Sequence, residues 1–193
     1  MSITVGVDEV GRGAWAGPVV AAAVLLLNKV EGLKDSKKLS RSQRQYLSDI
    51  IKNNAIIGYG WIEAKEVDDI GLTAAVGRAI RLAVTQIKVP FDEIIIDGNF
   101  NYLIDDKRSR VVVRADSTVS EVSAASIVAK VARDNFMIKE SIKFPEYQFD
   151  KHVGYGTALH AELLKLHGPS SIHRLSFKPL RGLYGLKNFL TAA

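Results

Sequence analysis

The chain has 193 residues, 47% of them hydrophobic, with no cysteine and with 26 lysines and arginines against 21 acidic residues, a formal charge of +5. That hydrophobic fraction supports a sizeable core and excludes a disordered chain, and the missing cysteine excludes a disulfide framework, a cysteine nucleophile and a thiolate zinc site. The basic balance favours an anionic partner; no basic segment followed by a long apolar run heads the chain, and its longest apolar stretch, residues 18–27, falls well short of the about 20 residues that span a bilayer, so a soluble cytoplasmic protein with no membrane association is expected.

In chain order, residues 3–7 are short, apolar and β-branched, residues 11–17 supply turn residues, and residues 19–27 form a second apolar run. Two strands joined by a glycine-rich turn are expected. The charged stretch 33–44 turns helical from Ser40, an N-cap, with Leu47, Ile50 and Ile51 on one face; residues 55–62 read as a third strand. Residues 72–87 carry Ala75, Ala79, Ile80, Ala83, Val84 and Ile87 at helical spacing. Two more β-branched runs follow, 93–96 and 110–113, and then Thr118 and Glu121 at capping-box spacing before an alanine-rich helix over 122–138. The small residues Ala124, Ala125, Ala129 and Ala132 suit close packing on a sheet. Residues 154–156 mark a loop, 158–166 a further helix and 168–179 an irregular return. Helices intervene between the later strands, so the fold class is α/β with a mixed sheet.

Three apolar runs lead into carboxylates: ITVGV into Asp8 and Glu9, EIII into Asp97, VVVRA into Asp116. In open α/β sheets functional groups gather at the carboxyl ends of strands, so these acids converge if their strands are parallel neighbours. The segment between Asp97 and Arg110 is too short for a conventional crossover helix and is the weak link in that arrangement. Clustered carboxylates repel one another unless a proton or cation compensates them, and hard divalent cations prefer oxygen ligands. Two such ions activate water and stabilise a leaving oxygen in phosphoryl transfer, which makes a basic surface around an acidic centre coherent for a nuclease. Taken singly, each aspartate after a strand reads first as a turn or helix cap. Adjacent residues of a regular strand also point to opposite faces. Either the first strand therefore ends or bends at Asp8 and Glu9, or one of the two is not a direct ligand.

The blocks VGVDEVGRG, AGPVVAAAV, DSKKLS, IIIDG, RAD followed by SAASIVAKVARD, VGYGT with His160 close behind, and HRLSF together resemble ribonuclease HII. They run from Val5 to about Pro179. The resemblance implies an RNase H-like mixed sheet flanked by helices in one catalytic domain, residues 1–193, with a core to about residue 145 and a helical C-terminal region over about 146–193. It implies an endoribonuclease that uses Mg2+ or Mn2+ on RNA–DNA hybrids and on DNA with embedded ribonucleotides, cutting 5′ of the ribonucleotide to leave a 3′-hydroxyl and a 5′-phosphate; apart from the family, no extended apolar stripe demands a partner and a monomer is expected.

The same resemblance carries the catalytic and metal-binding roles onto Asp8, Glu9, Asp97 and Asp116, with Glu9 either ligating a metal or orienting the attacking water. Asp134, within the predicted helix, is instead read as a structural partner of Lys130 or Arg133. Gly11, Arg12 and Gly13 are placed against the ribose, where glycines admit close backbone approach to the 2′-hydroxyl; apart from the family, both glycines satisfy a tight turn. Tyr155 is placed on the sugar beyond the ribonucleotide, and Lys37, Lys38, Ser123 and Lys130 along the nucleic-acid backbone. His160 either shuttles protons or steadies a loop, and Arg174, Ser176 and Phe177 read as mainly structural. Ala14 and Trp15 depart from the proline and small aliphatic residue that often follow the GRG turn.

Two alternatives share parts of this pattern. A DNA nuclease with an RNase H fold would need the carboxylates but no ribose-sensing turn, and a non-catalytic hybrid-binding protein would need the positive charge but not the acids. Ribose dependence and metal-dependent turnover separate them.

Overall fold

The computed structural model describes residues 2–34 and 36–184. Asp35 of the DSKKLS stretch and residues 185–193 of the C-terminal region lie outside the described residues. Five strands form one mixed sheet in the order β3–β2–β1–β4–β5. β1 (Thr4–Val10), β2 (Val19–Leu26) and β3 (Ala55–Ile62) pair antiparallel, whereas β4 (Glu93–Asp97) runs parallel to β1, and β5 (Ser109–Val112) runs parallel to β4. The three strands that lead into the carboxylates are thus parallel neighbours. Their short link needs no helix: residues 98–108 fold as turns around buried Leu103, and the Ser109 hydroxyl reaches the carbonyls of Leu103 and Asp106 at 2.8 Å each.

Helices cover both faces. On one, α3 (Leu72–Thr85) packs with α2 (Ala64–Ile70) over Val5, Val7, Val19, Ala21, Ala23, Ile94 and Ile96. On the other, α1 (Arg41–Asn54) and α4 (Ser120–Lys143) cover Ala22 and Val24. The period-two alternation of β2 assigns its alanines to opposite layers, and their small side chains let helices approach from both sides. Ser40 caps α1 in a reciprocal capping box with Gln43, as its sequence position implies.

Glycines set the closest approaches. A Cβ on Gly6 would lie on the backbone of Glu121 and Val122, and one on Gly58 or Gly60 would meet the carbonyls of Ala83 or Ala79. β1 therefore sits directly against the first turn of α4, and β3 against α3. Gly6→Ala must drive backbone from backbone, since no flexible side chain can give way; a loss of at least about 3 kcal/mol is expected, visible as a drop of roughly 6–12 °C in Tm. A Tm within 2 °C of the parent would refute the close approach.

Two local expectations need correction. β1 does not stop before the acids but runs through Asp8 and Glu9 to Val10, because its ladder with β2 continues to Val10↔Val20. Thr118 and Glu121 do not form a capping box; α4 starts at Ser120 behind Val119, without a side-chain cap. Residues 115–117 form a 3-10 turn that takes Thr118 as its own C-cap, with the Thr118 N–H on the Ala115 carbonyl.

Beyond α4 the chain makes short helices α5 (Phe149–His152), α6 (Ala158–His167) and α7 (Lys178–Tyr184). It returns to the β1–β2 connection through isolated bridges, Ala14↔Tyr155 and Ala16↔His173. The glycine-rich turn is therefore not a tight hairpin. Residues 11–18 make an eight-residue excursion between β1 and β2, held on both sides by the C-terminal region.

Candidate active site

The carboxylates collect at the carboxyl ends of β1 and β4. The β1–β4 ladder stops at Val7↔Ile96, so the next residues of both strands, Asp8 and Asp97, flank an opening in the sheet. Asp8 lies opposite Ala22, on the α4 face, and Glu9 opposite Ala21, on the α3 face. The pair thus straddles the end of the sheet, and both still feel Asp97. Burial and then the neighbouring charge of Glu9, with a smaller push from Asp97, raise the Asp8 carboxyl from 3.8 to about 8. Glu9 is also raised, by burial first and by Asp97, against the opposing pull of Arg12.

Asp116 reaches the site by another route. The Ala115 N–H donates to Asp97 Oδ1 at 2.7 Å, tying the 3-10 turn that carries Asp116 to the end of β4. Arg114, at φ 59, turns the chain in the left-handed region to make that turn. Asp116 itself is buried, 7% exposed.

An all-oxygen, mutually repelling and desolvated donor set suits a hard divalent cation, whose charge would relieve the repulsion that raises Asp8. Among the described residues, no three or more acidic, histidine or cysteine groups already stand in coordination geometry.

Around the acids the side chains are held by contacts far apart in sequence. Ser126 hydrogen-bonds Asp8 and meets Ser36 at 2.9 Å, joining α4 to the turn that exposes Lys37 and Lys38. Ser123, three residues earlier on the same helix, is buried with an unpartnered hydroxyl and lines a cleft with Asp116 and Thr118. Lys130 pairs with Asp134 at 2.8 Å, in agreement with the structural reading of that aspartate, and its ammonium stands 5.1 Å from the Tyr155 ring.

Arg12 donates to Glu9 at 2.9 Å and to the Tyr102 hydroxyl at 3.1 Å. Beneath it, two buried arginines bind carbonyls of the excursion: Arg174 those of Gly11, Arg12 and Gly17, and Arg133 those of Ala16 and Pro18 as well as that of Val153 in the C-terminal region. Burial and then the charge of Arg133 push Arg174 down to about 9. The two glycines differ. Gly11 sits at φ 94 with Pro18 and Arg133 where a Cβ would go, whereas Gly13 has open space there. Trp15 packs against His160, ring centroids 5.3 Å apart, and fills the space that a side chain on Gly156 would need.

Sequence reasoning missed Ser126, Tyr102 and Arg133. Helical spacing from Ser123 was a signal for Ser126; nothing local marks Tyr102 or Arg133. Ser176 and Phe177 are structural as expected, Ser176 bonding Asp68 and Phe177 packing on the core.

The ribonuclease HII family model matches residues 5–180. The chain belongs to the ribonuclease HII family. Ribonuclease HII from Rickettsia typhi is 41% identical over 178 residues, 91% of each chain. Ribonuclease H2 from Pyrococcus horikoshii superposes with a TM-score of 0.78 at 24% identity, covering 93% of this chain and 96% of that one. Bst-RNase HIII in complex with Mn2+ superposes at 0.70 and 21% identity, over 93% of this chain and 68% of that one. The RNase H-like fold follows, and with the family its class: a ribonuclease H-type hydrolase acting on nucleic acid. No helix among the described residues is long and apolar enough to cross a membrane.

Proposed function

We propose that this ribonuclease HII cleaves RNA in RNA–DNA hybrids and at single ribonucleotides embedded in duplex DNA, on the 5′ side of the ribonucleotide, leaving a 3′-hydroxyl and a 5′-phosphate. The observation that carries the reading is the meeting of Asp8, Glu9 and Asp97, with Asp116 tied to Asp97, beside the 11–13 turn that the Ala14↔Tyr155 bridge joins to Tyr155. Asp8, Asp97 and Asp116 would hold Mg2+ or Mn2+, with Glu9 either ligating the metal or orienting the attacking water. A divalent cation there supplies Lewis-acid activation of water and neutralises charge on the scissile phosphate. The solved structure of a type III relative with Mn2+ supports that choice of ion.

The protein's own groups supply recognition. Lys37, Lys38, Ser123 and Lys130 contact phosphates. Arg12 holds Glu9 in place, and the 11–13 backbone reads the 2′-hydroxyl. The open space at Gly13 supports that reading, because the fold does not fill it. Gly13→Ala is expected to keep folding stability within about 1 kcal/mol of the parent while cutting ribose-dependent cleavage roughly tenfold, the worth of one hydrogen bond lost to a buried partner. Unchanged cleavage by the folded variant would reject the role of Gly13.

Tyr155 packs on the deoxyribose beyond the ribonucleotide. Its ring is backed by Lys130 and Arg133, each 5.1 Å from the centroid. Tyr155→Ala should lower preference for an RNA-to-DNA junction about fivefold relative to long hybrids, for a contact of about 1 kcal/mol. Equal loss on the two substrates, measured as kcat/KM, would remove the sugar contact. The reading as a whole is tested by assaying hybrid cleavage with Mg2+, Mn2+ and EDTA: cleavage restricted to the metal-containing reactions is expected, and metal-independent cleavage would overturn it.

A further inference from the structure

Three buried histidines, His152, His160 and His173, cluster behind Tyr155. We infer that His160 and His173 are positioning residues for Tyr155, fixing the peptide that carries its ring through a directed chain of neutral imidazoles. This rests on the sugar-contact reading of Tyr155.

The bonding pattern allows one proton arrangement. His173 Nδ1 accepts from the Ser170 N–H at 2.9 Å, and with the Ser170 hydroxyl, 2.8 Å from the same nitrogen, turned as a second donor, the His173 proton sits on Nε2. That nitrogen lies 3.0 Å from His160 Nε2, which must then accept. The His160 proton is left on Nδ1, where it donates to the Tyr155 carbonyl at 3.0 Å. Neutral rings are what the surroundings favour: burial first, and neighbouring histidines second, push His160 down to about 4 and His173 to about 3. His152 stacks on His160 at 4.2 Å but stands outside the chain, with its nitrogens committed to the Tyr147 carbonyl and the Gly154 N–H. Every ring nitrogen of the three is therefore engaged, which sets the cluster apart from a metal centre.

The Tyr155 turn has reason to need such support. Val153, a β-branched residue, sits at φ 44 and Gly154 at φ 84, so two left-handed residues in succession precede the tyrosine. A left-handed β-branched residue is strained and persists only where its surroundings over-determine it. The His160 bond, the Thr157 N–H on the same carbonyl at 2.8 Å and the Arg133 bond to the Val153 carbonyl at 2.9 Å supply that constraint.

Two substitutions separate positioning from packing. In His160→Asn the amide nitrogen takes the place of Nδ1 and keeps the donor to Tyr155. In His160→Gln the amide takes the place of Nε2 and keeps the contact with His173 while losing Tyr155. Both remove the ring that packs on Trp15, Phe149 and His152, so a purely structural role makes them alike. The expected result is equal cleavage of long hybrids by the two variants, with junction preference about three- to tenfold lower in His160→Gln than in His160→Asn, the range for one hydrogen bond. Equal junction preference in the two, with Tyr155→Ala still impaired, would overturn the inference alone; an unimpaired Tyr155→Ala would overturn the sugar contact and the inference together. If either variant fails to fold, the imidazole 15N spectrum of the parent at pH 7 decides. An Nδ1–H tautomer at His160 with an Nε2–H tautomer at His173 is expected, and any other pair of forms contradicts the chain.

Discussion

Replacing Asp97 by asparagine is expected to lower hybrid cleavage by about a thousandfold or more while leaving hybrid affinity within a few-fold. Asp97 is the hub of the acidic cluster: its charge acts on Asp8 and on Glu9, and its Oδ1 holds the Ala115 N–H that anchors the Asp116 turn. Asparagine retains a carbonyl oxygen for Ala115, so the turn survives, but it removes the negative charge that a cation needs. Loss of the several kcal/mol that a cation contributes to the transition state is worth about three orders of magnitude or more in rate. The phosphate contacts proposed for Lys37, Lys38 and Lys130 do not involve Asp97, so the affinity is expected to survive. Turnover rates on saturating hybrid, with gel-shift affinity beside them, are the measurement. Unchanged turnover at saturating magnesium would take Asp97 out of the site.

Asp8→Asn is expected to abolish cleavage and, in metal-free protein, to stabilise the fold, increasingly so as pH rises. The Asp8 carboxyl titrates near 8 in the folded chain against an ordinary value of 3.8, chiefly because it is buried and then because Glu9 is beside it. Between those values the unfolded chain has lost the proton that the folded chain keeps, so stability falls as pH rises. Below about 4 both states are protonated and nothing is lost; above about 8 both are ionised and the loss is complete. Asparagine cannot ionise and escapes the whole effect, on the order of a few kcal/mol, or roughly 5 °C or more in Tm at pH 8.5. Saturating divalent cation should shrink the difference by restoring the parent alone. Thermal melts in EDTA at pH 5 and pH 8.5 check the sign, and a variant less stable than the parent at pH 8.5 would show that Asp8 is not repelled in the apo site.

Much of this arrangement was legible in the sequence because it is local. Apolar and β-branched runs marked the strands, the third strand with its observed bounds, and Ser40 marked the start of α1. The glycines of AIIGYGWI and ITVGV were legible signals too, since a glycine inside a strand often marks a close backbone approach. Long-range ties were not legible. Arg174 read as mainly structural and Arg133 as a neighbour of Asp134, but nothing local named their partners: both are fully buried because the 11–18 excursion turns its carbonyls inward and only donors can satisfy them. The capping-box misreading at Thr118 has the same origin: the Asp97–Ala115 bond, spanning 18 residues, commits that segment to a turn before α4 can claim it. Asp8 and Glu9 remain on opposite faces of the sheet, as their place in a regular strand implies, at the point where the β1–β4 ladder has ended.

The central claim, a metal-dependent carboxylate site joined to a ribose-reading turn, is tested most directly by incubating the protein with a labelled DNA duplex that contains one ribonucleotide, beside an all-DNA control, in magnesium and in EDTA. The expected result is a magnesium-dependent nick on the 5′ side of the ribonucleotide, with the all-DNA duplex intact. Cleavage of both duplexes would remove the ribose-reading roles of Gly13 and Tyr155, and cleavage of neither, with manganese also supplied, would contradict the catalytic site itself.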